Sequence, residues 1–355
     1  MTLFVKANVR IILDTSWWEN VGNLQIDITS HCNARCAFCV RQVDGTTDVK
    51  PELPLEHFNL DIWKRLVTED TRGMLIKELT LNGNWGDPMM HPHLVEMLDM
   101  FSHYHPETNL FIHTNGSMRS IKFWEDMAGS CRKFANHVIC FAVDGMEDTH
   151  SIYRVRTKWH KLMENITAFA SKGGRARGIM TVFKHNQHQV EEVKEAIRNT
   201  GAIEFETRPS HGAHTIQAGV TLESVECETE QHRFDELEVS MSDLRDFELY
   251  DKIQYPKVVS KCPWFADRRI QIDPWGTVWP CCHVSFYGID YKASEELIEK
   301  HVDSSFYGAR NTNNLHNHTL NEVLNNDWYN ETLYNAVDEA KWKACRDTCG
   351  VTKNG

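Results

Sequence analysis

Three cysteines lie close together near the start of the chain, at positions 32, 36 and 39. Thiolates are the usual protein ligands of iron–sulfur clusters, and three of them leave one iron of a four-iron cluster without a protein ligand. An iron of that kind can bind a cofactor. The same spacing fits one face of a helix, on which Cys32, Cys36 and Cys39 would act as small hydrophobic residues. A zinc site is a further alternative, although His31 is poorly spaced to supply its fourth ligand.

A second group of cysteines occurs towards the C-terminus. Residues 270–279 alternate around a Pro-Trp-Gly turn, which predicts a small β-hairpin that brings Cys262 and Cys281 together. Cys345 and Cys349 are one helical turn apart and could complete a site of four thiolates from three segments. A compact iron–sulfur cluster suits such a site, and a structural zinc ion is the alternative.

The remaining cysteines are one alternative ligand and three ordinary thiols. Cys282 follows Cys281 directly and could replace it as a ligand. Cys131, Cys140 and Cys227 fall in a predicted helix, a predicted strand and an acidic segment, so we interpret them as buried or surface thiols.

The elements that position these residues alternate from Leu24 onward. Short apolar or β-branched runs are followed by longer stretches with apolar residues every three or four positions, which is typical of βα units and a parallel sheet. Six such units make a partial (β/α)6 TIM-like barrel, so the predicted fold class is α/β. The predicted strands are Leu24–Thr29, Lys77–Asn82, Asn109–Thr114, His137–Val143, Arg177–Phe183 and Ala202–Thr207. The predicted helices are Leu55–Thr68, His93–His103, Ile121–Phe134, Trp159–Ser171 and Gln189–Asn199.

The working residues of such barrels cluster just beyond the carboxyl ends of the strands. Polar and glycine-rich residues follow each of the predicted strands. They are Ser30 to Cys39, Gly83 to Pro88, Asn115-Gly116, Asp144-Gly145, Lys184-His185-Asn186 and Arg208-Pro209. Asn-Gly and Asp-Gly are also common turn pairs, so each has a structural interpretation beside the functional one.

The Cys-x3-Cys-x2-Cys spacing, with Phe38 just before the last cysteine, resembles the hallmark of the radical S-adenosylmethionine (SAM) superfamily. The resemblance implies that Cys32, Cys36 and Cys39 hold a [4Fe-4S] cluster whose open iron is chelated by SAM. It also implies that one electron from the cluster cleaves SAM to a 5′-deoxyadenosyl radical, which abstracts hydrogen from a substrate. The cofactor then carries the difficult chemistry, while the protein orients and shields it.

Three further elements resemble SAM-binding elements of that superfamily. The segment from Gly83 to Pro88 resembles its Gly-Gly-Glu-Pro element, which receives the SAM amino group, but it has Asp87 where Glu is common and Trp85 before the second glycine. Residues 113–116 resemble the Thr-Asn-Gly element after the third strand, and residues 144–154 resemble the region near the SAM ribose and carboxylate. The implied cofactor-binding residues are Phe38, Gly83, Gly86, Asp87, Asn115 and Asp144.

The C-terminal cysteines resemble the SPASM/twitch type of extension found in many radical SAM enzymes. The resemblance implies an auxiliary [4Fe-4S] cluster bound by Cys262, Cys281, Cys345 and Cys349. The small number of cysteines favours the one-cluster twitch form, although the late pair has three intervening residues where two are frequent. Leu315 to Tyr329 resembles the connecting helix of that extension. Four protein ligands leave no open iron, so an electron-transfer or structural role is implied for this cluster.

Composition divides the chain into four parts. Leu222 to Asp251 holds eleven acidic residues and two basic ones, which indicates a solvated segment or a connecting helix between domains. The predicted parts are an N-terminal extension (1–20), a radical SAM core barrel (21–220), an acidic connecting segment (221–255) and an auxiliary-cluster domain (256–355).

Charge and hydropathy exclude several classes of protein. The net charge of −12 argues against a general nucleic-acid binder, because phosphate recognition needs concentrated Lys and Arg. The first twenty residues lack the features of a secretory signal, and no apolar run approaches the roughly 18 residues that a membrane span needs. Eleven cysteines without an export signal favour metal ligation over disulfides. The sequence therefore predicts a cytoplasmic protein without membrane association.

The predicted activity is radical SAM oxidation or modification of a small polar metabolite, with a reducing partner such as flavodoxin or ferredoxin. Peptide maturases of this superfamily often carry an additional N-terminal peptide-binding domain, whereas only about twenty residues precede the first strand here. A maturase that modifies peptides or proteins is the first alternative. A non-catalytic iron–sulfur electron carrier or sensor is the second.

Overall fold

The computed structural model of the protein describes residues 21–36, 39–43, 46–210, 215–217, 220–225, 227, 229–234, 264, 267–287, 309–333 and 336. In this part of the chain, a nine-stranded sheet has its first six strands parallel and joined by helical connections. This arrangement confirms the predicted α/β fold and TIM-like partial barrel. The parallel strands are β1 (Asn23–Ile26), β2 (Glu78–Leu81), β3 (Asn109–Thr114), β4 (Asn136–Ala142), β5 (Ala176–Val182) and β6 (Glu204–Pro209).

Helices cover the outer face of this sheet. Strand residues such as Leu79, Ile112 and Phe141 are buried in one continuous core with apolar helix residues such as Trp124 and Ile166. Removing this apolar surface from water is the main stabilising contribution to the barrel. The helices between the strands are α1 (Leu60–Arg65), α2 (Leu94–Tyr104), α3 (Ile121–Cys131), α4 (His150–Tyr153), α5 (Trp159–Ser171) and α6 (Val190–Asn199).

The inner face of the sheet borders a second space, which we term the lumen. Successive side chains of a strand point to opposite faces, so the neighbours of the outward-facing core residues point inward. Phe111, Val138, Cys140 and Ile179 form an apolar cluster separate from the main core, in accordance with this alternation. Polar residues occupy most other inward positions of the strands. They include Gln25, Thr80, His113, Arg177, Glu206 and Arg208.

The first helix begins five residues later than predicted, and a π-helical turn, Leu66–Asp70, continues it past the predicted end at Thr68. The sequence predicts a helix from Leu55, but α1 begins at Leu60, with the side chain of Asn59 accepting hydrogen bonds from the next turn. The residues before it run extended beside the end of β1: the Ser30 amide donates to the Glu56 carbonyl and the Phe58 amide donates to the Ile28 carbonyl. These backbone bonds take the place of helical ones.

The sheet extends beyond the six barrel strands at both edges. At one edge β9 (Glu230–Arg233) pairs antiparallel with β6. This strand lies in the acidic segment, so the predicted connecting helix is wrong over these residues. At the other edge, β10 (Arg269–Ile272) pairs parallel with β1, and β11 (Val278–Trp279) completes the predicted hairpin. A separate pair is formed by β7 (Thr215–Gln217) and β8 (Val220–Leu222).

Short helices follow the hairpin. These are α7 (Cys282–Tyr287), α8 (Ala309–Thr312) and α9 (Leu320–Leu324), and a π-helical turn spans Trp328–Leu333. The predicted helix from Leu315 begins instead at Leu320, because Thr319 and Glu322 form a capping box there. None of the helices in the described ranges is long and apolar enough to cross a membrane.

A buried carboxyl group connects the hairpin to the barrel. Asp27 lies just past β1 and accepts hydrogen bonds from the backbone and side chain of Asn84, at 3.0 and 3.2 Å, and from the Gln271 side chain on β10 at 2.6 Å. Burial raises the pKa of Asp27 to about 8, although these hydrogen bonds oppose the rise. The folded protein therefore holds a proton on Asp27 at neutral pH.

We expect Asp27 to make the stability of the fold fall as the pH rises. In the unfolded chain the Asp27 carboxyl titrates near pH 3.9, at about its ordinary value. Its stabilising contribution to the free energy of unfolding is therefore complete below that pH and is lost as the pH rises towards about 8. The slope reaches at most about 1.4 kcal/mol per pH unit. Asp27→Asn should flatten the fall in Tm between about pH 5 and pH 8, while Asp126→Asn, on an exposed helix face, should leave it unchanged. An identical pH slope in Asp27→Asn and the wild type would contradict this assignment.

Candidate active site

The cysteine loop follows β1 at the carboxyl end of the barrel. Cys36 is buried, and Cys32 and Cys39 are half-buried. The Cys39 amide donates to the Cys36 carbonyl at 3.1 Å. Arg41 stabilises the loop, because its Nη2 donates a hydrogen bond to the Ser30 carbonyl at 2.7 Å. The three cysteines therefore share one loop at the edge where sequence reasoning places the site.

The chemistry of these thiols fits an iron–sulfur cluster. Burial is the larger cause that raises the pKa of the Cys32 thiol, and the negative charge of Asp87 is the second cause. Burial also raises the pKa of the Cys36 thiol, although the Arg154 guanidinium opposes it. Both thiols stay protonated unless bound iron supplies positive charge, and cluster ligation does so. No three His, Cys, Asp or Glu groups within the described ranges meet closely enough for a single metal ion, whereas a cluster binds each thiolate at a separate iron.

The glycine-rich segment after β2 packs tightly against this loop. A Cβ on Gly86 would overlap the carbonyl oxygen of Thr29 and would lie 2.6 Å from that of His31. A Cβ on Gly83 would lie 2.8 Å from the carbonyl oxygen of Gly86. The Asp87 amide donates to the His31 carbonyl at 2.8 Å. Only glycine allows the backbones of the two loops to approach this closely, and we term the segment Gly83 to Asp87 the cradle.

The carboxylate of Asp87 is turned inward and is fully engaged. It accepts hydrogen bonds from the Met89 amide at 3.0 Å, from the Thr114 hydroxyl at 2.9 and 3.0 Å, and from the amide and side chain of Asn115 at 2.8 and 2.5 Å. Burial raises the pKa of Asp87 despite these donors. In this arrangement the side chain connects the loops after β2 and β3, and the amino group of SAM would have to be received mainly by the backbone.

Asn115 connects this carboxylate to the cysteine loop. Its Nδ2 lies 3.9 Å from the Cys32 Sγ and donates to the Asn33 side chain at 2.8 Å. Asn33 in turn donates to the Ser117 hydroxyl at 3.1 Å. A turn interpretation of Asn115-Gly116 also holds, because Gly116 has a positive φ of 66°.

Asp144 forms a second connection, from β4 to the cysteine loop. Its side chain is buried and accepts hydrogen bonds from the Thr181 amide at 2.5 Å and from the Arg154 Nε. The Nη1 of Arg154 lies 3.6 Å from the Cys36 Sγ. Although burial opposes it, the charge of Asp144 raises the pKa of Arg154. Arg154 belongs to a segment that the sequence analysis identified, but its contact with Cys36 could not be inferred from spacing.

The predicted auxiliary ligands are described only in part. Phe38, Cys262, Cys345 and Cys349 lie outside the described residues. Cys281 is buried at the start of α7, where its Sγ accepts the Val284 amide at 3.5 Å. Burial, followed by the charge of Asp27, raises the pKa of Cys282 to about 12.

An aromatic contact that the sequence did not reveal joins the two regions. The Trp85 ring, in the glycine-rich segment, lies 5.8 Å from the Trp275 ring in the hairpin turn and 5.5 Å from the Phe286 ring on α7. Leu53 is buried with them. Trp85, the departure from the Gly-Gly-Glu-Pro pattern, thus has a packing role between the barrel and the C-terminal hairpin.

The close approach at Gly86 gives a direct test of the cradle. Gly86→Ala should lower the free energy of unfolding by about 1–3 kcal/mol and weaken SAM binding, because the new methyl group meets backbone carbonyls that cannot move aside. Gly129→Ala is the matched control, since no atom lies within 4 Å of its added Cβ and alanine favours α3 by about 0.5–1 kcal/mol. Urea unfolding and equilibrium dialysis with SAM measure both effects, and unchanged SAM binding in Gly86→Ala would contradict the cradle.

Comparison with known proteins places this geometry in a family. A model of the radical SAM superfamily matches residues 26–197, and a model of an iron–sulfur cluster-binding domain, SPASM, matches residues 262–350. A GTP 3′,8-cyclase of Streptomyces coelicolor is 24% identical over 111 residues, which are 31% of this chain and 30% of that protein. The match thus spans less than a third of the relative's length.

Two solved structures resemble this chain at low identity. Native anSMEcpe with bound SAM and Cp18Cys peptide has a TM-score of 0.50 and 11% identity, and the match covers 87% of this chain and 81% of that one. SuiB of Streptococcus suis bound to SAM has a TM-score of 0.48 and 13% identity, with 80% and 68% covered. The cysteine loop after β1, its place at the carboxyl end of the barrel and the two family models agree: the chain belongs to the radical SAM superfamily and carries a SPASM-type iron–sulfur cluster-binding domain in its C-terminal region.

Proposed function

We propose that this protein uses SAM to abstract hydrogen from a small polar metabolite, which it oxidises or otherwise modifies. Superfamily membership implies that the chain is an enzyme with SAM and a [4Fe-4S] cluster, and the SPASM domain implies auxiliary iron–sulfur binding. When bound, these groups supply the electron and the 5′-deoxyadenosyl radical that take hydrogen from the substrate. The chain itself must bind SAM and substrate, orient them and exclude water.

The observation that carries the proposal is the pair of contacts to the cysteine loop. Asn115 approaches the Cys32 Sγ and Arg154 approaches the Cys36 Sγ, so the ends of β3 and β4 both support the proposed cluster ligands. In this proposal Cys32, Cys36 and Cys39 hold the cluster. Donors near thiolate sulfur stabilise its negative charge, and this environment is one means by which proteins tune a cluster.

SAM is proposed to bind along the strand ends that follow this loop. Gly83 and Gly86 would provide the close backbone approach, with Asp87 and Asn115 keeping that backbone in position. Asp144 would orient Arg154 rather than contact the reacting atoms, because its side chain is buried and already bonded. Phe38 is proposed as a further SAM-binding residue on the resemblance of the cysteine motif alone.

A small polar substrate is favoured by the polarity of the lumen. Inward-facing His113, Thr181 and Arg208 are partly exposed at its carboxyl end, and large apolar side chains do not occupy these positions. The relative named as a GTP 3′,8-cyclase acts on a small molecule, in agreement with this proposal. The anSMEcpe structure holds a peptide, which supports the alternative of a peptide or protein maturase.

The auxiliary site is proposed to use Cys262, Cys281, Cys345 and Cys349, and to take or relay an electron. Cys281 is proposed over Cys282 because it is buried just after β11, where its sulfur accepts the Val284 amide. A flavodoxin or ferredoxin in the cytoplasm is the proposed electron source. A non-catalytic electron carrier is disfavoured, since it would need neither an open iron nor a cradle for SAM.

Replacing the three loop cysteines tests the catalytic assignment. The Cys32→Ala, Cys36→Ala, Cys39→Ala triple variant should lose dithionite-driven formation of 5′-deoxyadenosine from SAM, because no ligands remain for the cluster. Cys227→Ala, outside both proposed sites, should retain it. Chromatographic measurement of 5′-deoxyadenosine decides the outcome, and undiminished formation in the triple variant would refute the assignment.

Metal content tests the auxiliary site. The anaerobically reconstituted chain should carry about eight iron atoms, two four-iron clusters' worth, and about four in the triple variant of the loop cysteines. Inductively coupled plasma analysis measures iron and zinc together. If the unmodified chain contained about four iron atoms and one zinc ion, the auxiliary site would be a structural zinc site and not a cluster.

A further inference from the structure

The lumen has an exposed cationic side chain at its carboxyl end. Arg208 is the inward-facing residue near the end of β6, opposite Thr181 of β5 in the sheet register. Its side chain is 42% exposed, although the side chain of its partner Glu206 is only 9% exposed. In the Arg208–Glu206 pair the guanidinium is therefore accessible to solvent, and the carboxylate is buried.

The acidic residues around Arg208 are already engaged. Glu206 accepts from the Nε of Arg208 with one oxygen, and its other oxygen lies 3.4 Å from the Nη1 of Arg177. Glu204 is buried and bonded to Arg177 and to Gln231. Arg233 also lies 3.7 Å from Glu204, so the network holds three arginines and two buried glutamates, and the Arg208 side chain is the most exposed of the five.

The terminal nitrogens of Arg208 are available for binding. The hydrogen bond to Glu206 uses Nε, and within the described part of the chain Nη1 and Nη2 make no other hydrogen bond. A guanidinium has donors and no acceptor, and its planar fork matches the two oxygens of a carboxylate or phosphate. The Nη1 and Nη2 groups of Arg208 can therefore donate hydrogen bonds to an acceptor, and an anion is the acceptor that they favour.

His113 faces the same inner side of the sheet as Arg208, but it lies on β3, three strands from β6 in the sheet order. Burial and the charges of Arg208 and Arg177 lower the pKa of His113 to about 4, so the imidazole is neutral and can donate one N–H. The His113 ring makes no hydrogen bond within the described residues, and it is only partly buried. A neutral donor on the same inner face as an open guanidinium can add a hydrogen bond to an oxyanion without adding a second charge.

Other carboxyl groups near this end do not oppose an anion. Asp27 holds its proton at neutral pH, since burial raises its pKa to about 8. Asp144 is paired with Arg154 through a buried ion pair. Asp27 and Asp144 therefore add little like-charge repulsion against an anionic ligand.

We propose that Arg208 and His113 bind a carboxylate or phosphate group of the substrate at the carboxyl end of the lumen. This inference rests on the proposed function and narrows it: the substrate is a small molecule with an oxyanion that is held away from its reacting carbon. Arg208 and His113 are then specificity residues, and the position of the anion sets which C–H bond faces the cysteine loop.

The test measures binding of simple oxyanions to the complete protein. Inorganic phosphate and acetate are titrated calorimetrically into anaerobic, cluster-loaded, SAM-bound protein, at an ionic strength held constant with chloride. Arg208→Met should weaken binding of the favoured anion about tenfold or more, and His113→Gln several-fold. Arg208→Lys should fall between the wild type and Arg208→Met, because it keeps the charge and loses the fork.

Arg198→Met is the matched control, because Arg198 also pairs with a glutamate but lies on the exposed outer face of α6. It should bind both anions as the wild type does. Preference for phosphate or for acetate identifies the oxyanion. Equal binding by Arg208→Met and the wild type, or no binding of either anion by the wild type, overturns the proposal. Formation of 5′-deoxyadenosine is followed in the same preparations, so a failure of SAM cleavage is distinguished from a failure of anion binding.

Discussion

The buried carboxylate of Asp87 is the group on which the site's geometry depends. A buried carboxylate is costly unless donors surround it, and here the donors come from two different strand ends. Its own amide holds the His31 carbonyl of the cysteine loop. Satisfying this one carboxylate therefore fixes the loops after β1, β2 and β3 relative to each other. The close approach of Gly86 to Thr29 follows from the same arrangement, since a side chain there would separate the loops.

Asp144 forms a similar arrangement two strands further along, after β4. Its carboxylate is bonded to the backbone of β5 and to Arg154, and Arg154 extends to the sulfur of Cys36. Both supports thus pair a buried acid at a strand end with a donor that approaches a cysteine. Because the acids are held by backbone amides of neighbouring strands, the donors are positioned by the sheet and not by loop conformation alone. This preorganisation is what a site needs if it is to hold a reactive intermediate in one orientation.

Periodicity predicted the barrel, and local backbone competition explains where the prediction was inaccurate. Asn109–Thr114 and Trp159–Ser171 were predicted to the residue, because each has a strong apolar period and clear ends. Residues before Leu60 were predicted as helix but return along the end of β1, where backbone bonds to Ile28 and Ser30 replace helical ones. Sequence spacing also indicated which strand ends carry the site. It could not show that Asp87 would be saturated by β3 or that Arg154 would approach Cys36, since those contacts arise from tertiary packing.

The pairing of β10 with β1 was also beyond the reach of the sequence, and it bears on how the two cluster regions are related. Alternation predicts that residues 270–279 form a hairpin, but it does not identify the neighbour of that hairpin. In the structure the neighbour is the strand that leads into the cysteine loop. Asp27, Asn84 and Gln271 join the strand ends by hydrogen bonds, and Trp85 packs on Trp275 and Phe286. Cys281 follows that hairpin directly. A shift of the hairpin would therefore disturb the cradle residues Gly83 to Asp87 through Asn84 and Trp85, so the spacing between the two regions is constrained by packing that both share.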